Sequence, residues 1–168
     1  MGVGAVVLIA ATAALFLWKS PMADGRSENA PVSESEYRTL TDTTGNGHTG
    51  TLVNGPTWTT SGKYGGALSF DGMNDLVSIA DASDLDLSTG MTLAAWVYPS
   101  SVGSWRSMVF KTNGTNDLAY ALYAFSDGTN TPRGFVNLGG SQQEVTGGTT
   151  LAANVWSHVA TTYDGSSL

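Results

Sequence analysis

The chain has 168 residues, only 12% of them charged, with a net charge of -7 and a pI near 4.4. No Lys/Arg cluster appears anywhere, which argues against nucleic acid and anionic membrane surfaces as partners. Cysteine is absent, excluding a disulfide scaffold and a thiolate metal site.

The first 18 residues, Met1–Trp18, carry no charged side chain and are rich in Ala, Val and Leu, with Lys19 closing the run. As a helix it would span roughly 27 Å at 1.5 Å per residue, marginal for a bilayer core of about 30 Å. The apolar helix over residues 1–19 therefore reads as a signal peptide or a short membrane anchor. No basic residue precedes it and no small-x-small cleavage site follows it, so both forms stand. Ser20–Arg38 is polar, Pro-bearing and aperiodic, a disordered linker.

From Thr39 onward the pattern changes to short apolar runs punctuated by turn residues. Ala67–Phe70 and Leu76–Ile79 flank Asp71-Gly72 and read as a hairpin. Met91–Tyr98 is apolar at both parities, so both of its faces are expected to be covered, with Trp96 in the core. Ser107–Lys111, Ala119–Phe125, Gly134–Leu138 and Trp156–Tyr163 follow, the last with Trp156 also in the core. Gly139–Asn154, rich in Gly, Thr and Gln, reads as a connecting loop. Strands this short, with turn chemistry every ten or so residues and many glycines, predict an all-β antiparallel sandwich, a jelly roll, over residues 39–168. The chain stops just after the Asp164-Gly165 turn, so the domain is expected to be incomplete at its C-terminal end.

Four segments carry a resemblance: Asp42–Gly55 (DTTGNGHTGTLVNG), Gly62–Ile79 (GKYGGALSFDGMNDLVSI), Thr92–Pro99 (TLAAWVYP) and Trp156–Gly165 (WSHVATTYDG). In order and spacing the chain resembles the laminin-G-like, concanavalin A-like jelly-roll family of lectin and glucanase relatives across Asp42–Leu168. It departs from that family where SESEYRTLT replaces an apolar strand and an acidic-Gly-Ser segment before Asp42. The resemblance implies an extracellular or cell-surface ligand-binding module that takes carbohydrate or serves adhesion, secreted or membrane-anchored by its N-terminal segment. It also implies calcium at the Asp-x-(Ser/Thr)-Gly-Asn loop, matched by Asp42, Thr44, Gly45 and Asn46, with Asp164 as a further ligand.

Taken on residues alone, Asp42 and Asn46 are four apart with Gly between. They either converge on an oxygen-liking cation or bond their own backbone as Asx-turn residues. Asp71 and Asp75 are weaker candidates of the same kind. Glucanases of this fold present Glu-x-Asp-x-x-Glu on one strand, and no such run exists here. Glu28, Glu34 and Glu36 fall in the linker, Glu144 in the polar loop, and Asp81, Asp84 and Asp86 between strands, so no catalytic residue is assigned. His48 and His158 support neither a zinc site nor a nucleophilic triad. Trp105, with Arg106 beside it, and Trp58 lie in polar surroundings and are the rings expected to stack on a sugar, Trp58 with partial burial as its alternative. A polysaccharide-degrading enzyme and a structural spacer are the competing functions, since one architecture hosts all three.

Overall fold

The computed structural model describes residues 6–8, 14–15, 38–103, 105–113, 118–125 and 130–168. One sheet runs, in spatial order, β12 (Ser141–Thr146), β11 (Arg133–Leu138), β10 (Leu118–Phe125), β9 (Arg106–Thr112), β1 (Val6–Leu8), β7 (Leu76–Ile79), β4 (Gly50–Val53) and β3 (Thr39–Leu40). The facing layer holds β13 (Ser157–Tyr163) paired with β8 (Met91–Val97), and β5 (Thr57–Gly62) paired with β6 (Gly65–Ser69), which takes β2 (Ala14–Leu15) on its other edge. Every pairing among the described residues is antiparallel. Leu68, Phe70, Leu93, Val97 and Val159 of one layer pack against Val77, Met108, Tyr120, Leu122 and Phe125 of the other, the arrangement of a jelly-roll sandwich. The five described residues of the N-terminal apolar run are β1 and β2; the rest of the run expected as a helix, and the linker up to Tyr37, lie outside the described residues.

β8 and β13 show the period-2 logic most clearly. Leu93, Ala95, Val97, Val159, Thr161 and Tyr163 are buried, while Thr92, Ala94, His158, Ala160 and Thr162 are exposed. This corrects the expectation that Met91–Tyr98 is covered on both faces. The outward positions are Ala and Thr plus large rings, which look apolar in sequence yet tolerate solvent. Trp96 and Trp156, expected in the core, are consequently half-buried on the outer face.

The Asp71-Gly72 segment is likewise not a hairpin turn. β6 pairs with β5, and β7 with β4, so the segment carries the chain from one layer to the other. Its tightness comes from Asp71 and the buried Asp75: the Met73 amide donates to Asp71 Oδ1, and the Asp71 amide donates to Asp75 Oδ2. Phe70 and Val77 are apolar because both point into the core from opposite layers. The hairpin in this region is β5–β6, with Gly62 paired to Gly65 and Lys63-Tyr64 at its tip.

The stretch expected as a loop after Leu138 contains β12. It folds back on β11 through Gly139-Gly140, whose φ values of 60° and 84° are those of a type I′ turn, and it places Glu144 on a strand.

Candidate ligand-binding surface

Gly134 defines the faces of the main sheet. A Cβ placed there would meet Thr161 of the opposite layer, so Gly134 points inward and its neighbours Arg133 and Phe135 point outward. Residues directly opposed across strands share a face. One outward row is then Ser107, Tyr123, Arg133 and Thr146; the next is Phe110, Ala121, Phe135 and Glu144; Asn137 and Gln142 form a third.

Trp105, just before β9, lies over the first two rows. Its ring centroid is 4.9 Å from that of Tyr123 at an interplanar angle of 79°, and 6.2 Å from that of Phe135. Tyr123 meets Phe135 edge to face at 5.4 Å. Each such contact is worth about 0.5–1.5 kcal/mol beyond burial, enough to hold the indole in place. Phe135 is only 4% exposed beneath it, whereas Trp105 is 45% exposed. An edge-on contact with Tyr123 leaves at least one indole face clear of that ring. Burial pushes the Tyr123 phenol above its ordinary value, against the pull of a hydrogen bond with Ser107, so it stays a neutral hydroxyl near neutral pH. Polar groups border the shelf: Arg133 lies 3.7 Å from Glu144 as an ion pair.

The other expected sugar-contacting residues lie elsewhere. Arg106 is directly opposite Phe125, a core residue, so its stem leaves the face that Tyr123 occupies; its Nη1 donates to the Trp105 carbonyl oxygen at 3.0 Å. Arg133 is the guanidinium on the shelf. Trp58 belongs to β5 in the other layer. It is opposed to the buried Leu68, so it leans on the core side of an open edge with 36% exposure. Tyr123, Phe135, Arg133 and Glu144 carried no functional signal in sequence, because their meeting depends on register across three strands.

Asp42 organises the loop after β3. Its Oδ1 accepts from the Thr44 amide at 2.8 Å and the Thr44 hydroxyl at 2.6 Å, and its Oδ2 accepts from the His48 amide at 3.0 Å. These bonds, the Thr44 hydroxyl foremost, lower its carboxyl to about 2. The Asn46 amide donates to the Thr44 hydroxyl. Asp164 closes a separate turn, its Oδ1 accepting from the Ser166 and Ser167 amides at 2.8 Å each; its carboxyl is lowered by Ser167 and then Ser166. Both are Asx turns. A cation at Asp42 would share its oxygens with these N–H and O–H donors. No group of three or more His, Asp or Glu side chains among the described residues is arranged to hold a metal ion.

The 46–49 loop and the 80–82 segment with Asp84 line a cleft of about 310 Å³, in which His48 Nε2 lies 2.9 Å from Asp84 Oδ2. Behind it Lys111, 2% exposed, bridges Asp81 and Asp86. Burial alone would lower its ammonium, but the bonds to the two aspartates outweigh that and hold it above the usual lysine value. With the Tyr120 hydroxyl donating to the Leu85 carbonyl, this cluster ties the Ser83–Leu85 turn over the end of the core. Its groups satisfy one another, leaving the shelf as the better-equipped ligand surface.

No curated protein and no solved structure matched the chain. The Laminin_G_3 family model, described as the concanavalin A-like lectin/glucanases superfamily, matches residues 70–168, a span holding every residue of the shelf. By that match, and by its antiparallel sandwich, the chain belongs to the concanavalin A-like lectin/glucanase superfamily.

Proposed function

We propose that the chain is a non-catalytic module that binds carbohydrate, or adheres through it, at the Trp105 shelf. One observation carries this reading: an indole 45% exposed, held edge-on against Tyr123 and tilted over Phe135. A pyranose offers an apolar face of axial hydrogens to such a ring, and hydroxyls at its rim to Arg133, Glu144, Asn137 and Gln142. Because the Arg133–Glu144 pair is internally neutralised, the shelf suits an uncharged sugar. Superfamily membership adds support without choosing the ligand, since function resides in the site and not in the fold. An extracellular or cell-surface setting belongs to the same reading through the uncharged, apolar composition of the N-terminal run, although its Val6–Leu8 and Ala14–Leu15 pair into the sheets. Calcium assistance belongs to the same reading through the exposed Asp42–Asn46 loop; a calcium-dependent rise in Tm that Asp42→Ala removes would support it.

The test is isothermal titration with neutral oligosaccharides chosen from a glycan array. Trp105→Ala should weaken binding by roughly 2 kcal/mol, about thirtyfold, as expected of a central aromatic contact, measured at a temperature where the variant, which also loses its ring contacts with Tyr123 and Phe135, is still fully folded. Equal binding by the variant, or no neutral glycan bound by the wild type at millimolar concentration, would overturn the reading.

A further inference from the structure

The opposite outer face carries a second ring cluster. Trp96 of β8 is directly opposed to His158 of β13, with ring centroids 5.2 Å apart. One step along the pair, Tyr98 and Trp156 meet at 5.4 Å. The tip of the β5–β6 hairpin reaches this strip: Tyr64, 62% exposed, stands edge-on to Trp96 at 5.5 Å. Lys63 Nζ lies 5.3 Å from the centre of the Trp96 ring and 5.8 Å from that of Tyr64. Lys63 meets no carboxylate among the described residues. A cation between two aromatic faces is held by their quadrupoles. That attraction positions the ammonium without neutralising it, whereas Arg133 faces Glu144 and Lys111 faces two aspartates.

We infer that this strip is a second binding site, taking a pyranose that carries an anionic substituent, either a uronate carboxylate or a sulfate ester. The sugar's apolar face lies on the exposed Tyr64 ring, its anionic group meets the Lys63 ammonium held over Trp96, and the exposed His158 ring offers a hydrogen-bonding nitrogen to a hydroxyl. Charge complementarity singles out this occupant. In a chain of net charge -7, an exposed ammonium that faces two rings and no carboxylate among the described residues attracts an anion locally while the remaining surface repels it. The inference borrows only the ligand class from the shelf reading and rests on different residues.

The experiment is calorimetric titration of the full chain with oligogalacturonate and, separately, with a sulfated galactan oligosaccharide lacking carboxylates. At least one should bind, and the arm that binds names the anionic group. Lys63→Met, which keeps the apolar stem at an exposed hairpin tip, should weaken that binding about tenfold, the loss expected for one charge-assisted hydrogen bond. Raising salt should weaken it as well, because an exposed charge contact is screened. Trp105→Ala should leave it intact. Failure of both oligosaccharides to bind at millimolar concentration, less than a twofold change for Lys63→Met, or loss on Trp105→Ala would each overturn the inference. Neutral-glycan binding that depends on Trp105, with no anion binding at all, would sink this site alone and leave the shelf standing.

Discussion

The two outer faces of the sandwich each present a tryptophan on other rings, but they treat charge in opposite ways. At the shelf, Trp105 lies over Tyr123 and the nearly buried Phe135, and the nearby guanidinium of Arg133 is answered by Glu144. At the strip, Trp96 is flanked by Tyr64 and His158, and among the described residues the nearby ammonium of Lys63 is answered by ring faces and no carboxylate. The difference teaches that an aromatic platform supplies affinity for a sugar face in general, while the neighbouring charges decide which sugar. An internally paired guanidinium favours hydroxyls. An ammonium held by quadrupoles favours an anion.

The largest expected effect comes from breaking the contact that sets the two layers against each other. A Cβ added at Gly134 would fall 2.7 Å from Thr161 Cβ and 2.9 Å from Leu168 Cδ2. Gly134→Ala should therefore destabilise the domain by roughly 3 kcal/mol, the upper end of overpacking costs, measured by urea unfolding. Ligand binding at both faces should fall together in proportion to the unfolded fraction. If only one face lost its ligand, the layers would not be coupled through this contact. Next in size is the crossed pair of variants, in which Trp105→Ala and Lys63→Met each weaken one face, about thirtyfold and about tenfold, and spare the other.

A smaller change should convert one face toward the other. In a Lys63→Met background, Glu144→Gln removes the negative charge facing Arg133 and should raise the shelf's affinity for an oligouronate about threefold, within the range of a surface ion pair. An unchanged or weaker affinity would show that Arg133 does not govern selectivity there. The smallest effect concerns neither face. The Asp42 carboxyl is depressed from 3.8 to about 2, so its hold on the 42–48 loop is complete above the ordinary carboxyl value and is lost as pH falls through about 2. The Thr44 and His48 amide resonances should move with that midpoint while the Trp105 and Trp96 indole signals do not.

Much of the strand content was legible wherever apolar residues alternate or run together, as in β8, β10 and β13. β12 was not, because SQQEVT is polar on both faces and earns its place only by pairing with β11. β5, TWTTSG, was hidden for the same reason. The Asp71-Gly72 turn was recognised as a turn but assigned the wrong neighbours, since a local turn signal does not distinguish a hairpin from a crossing between layers. Trp105 was legible as a ring in polar surroundings, whereas its supports were not.

By itself the sequence determined that residues after Arg38 form an antiparallel β domain of the superfamily it resembles, because period-2 burial and turn chemistry are local properties of the chain. Only the tertiary structure decided that Trp96 and Trp156 face outward, that Arg133 replaces Arg106 beside Trp105, and that Lys63 reaches Trp96. Each depends on which strands pair and in what register. A shift of one residue would send the strand residues among them, Trp96 and Arg133, to the other face.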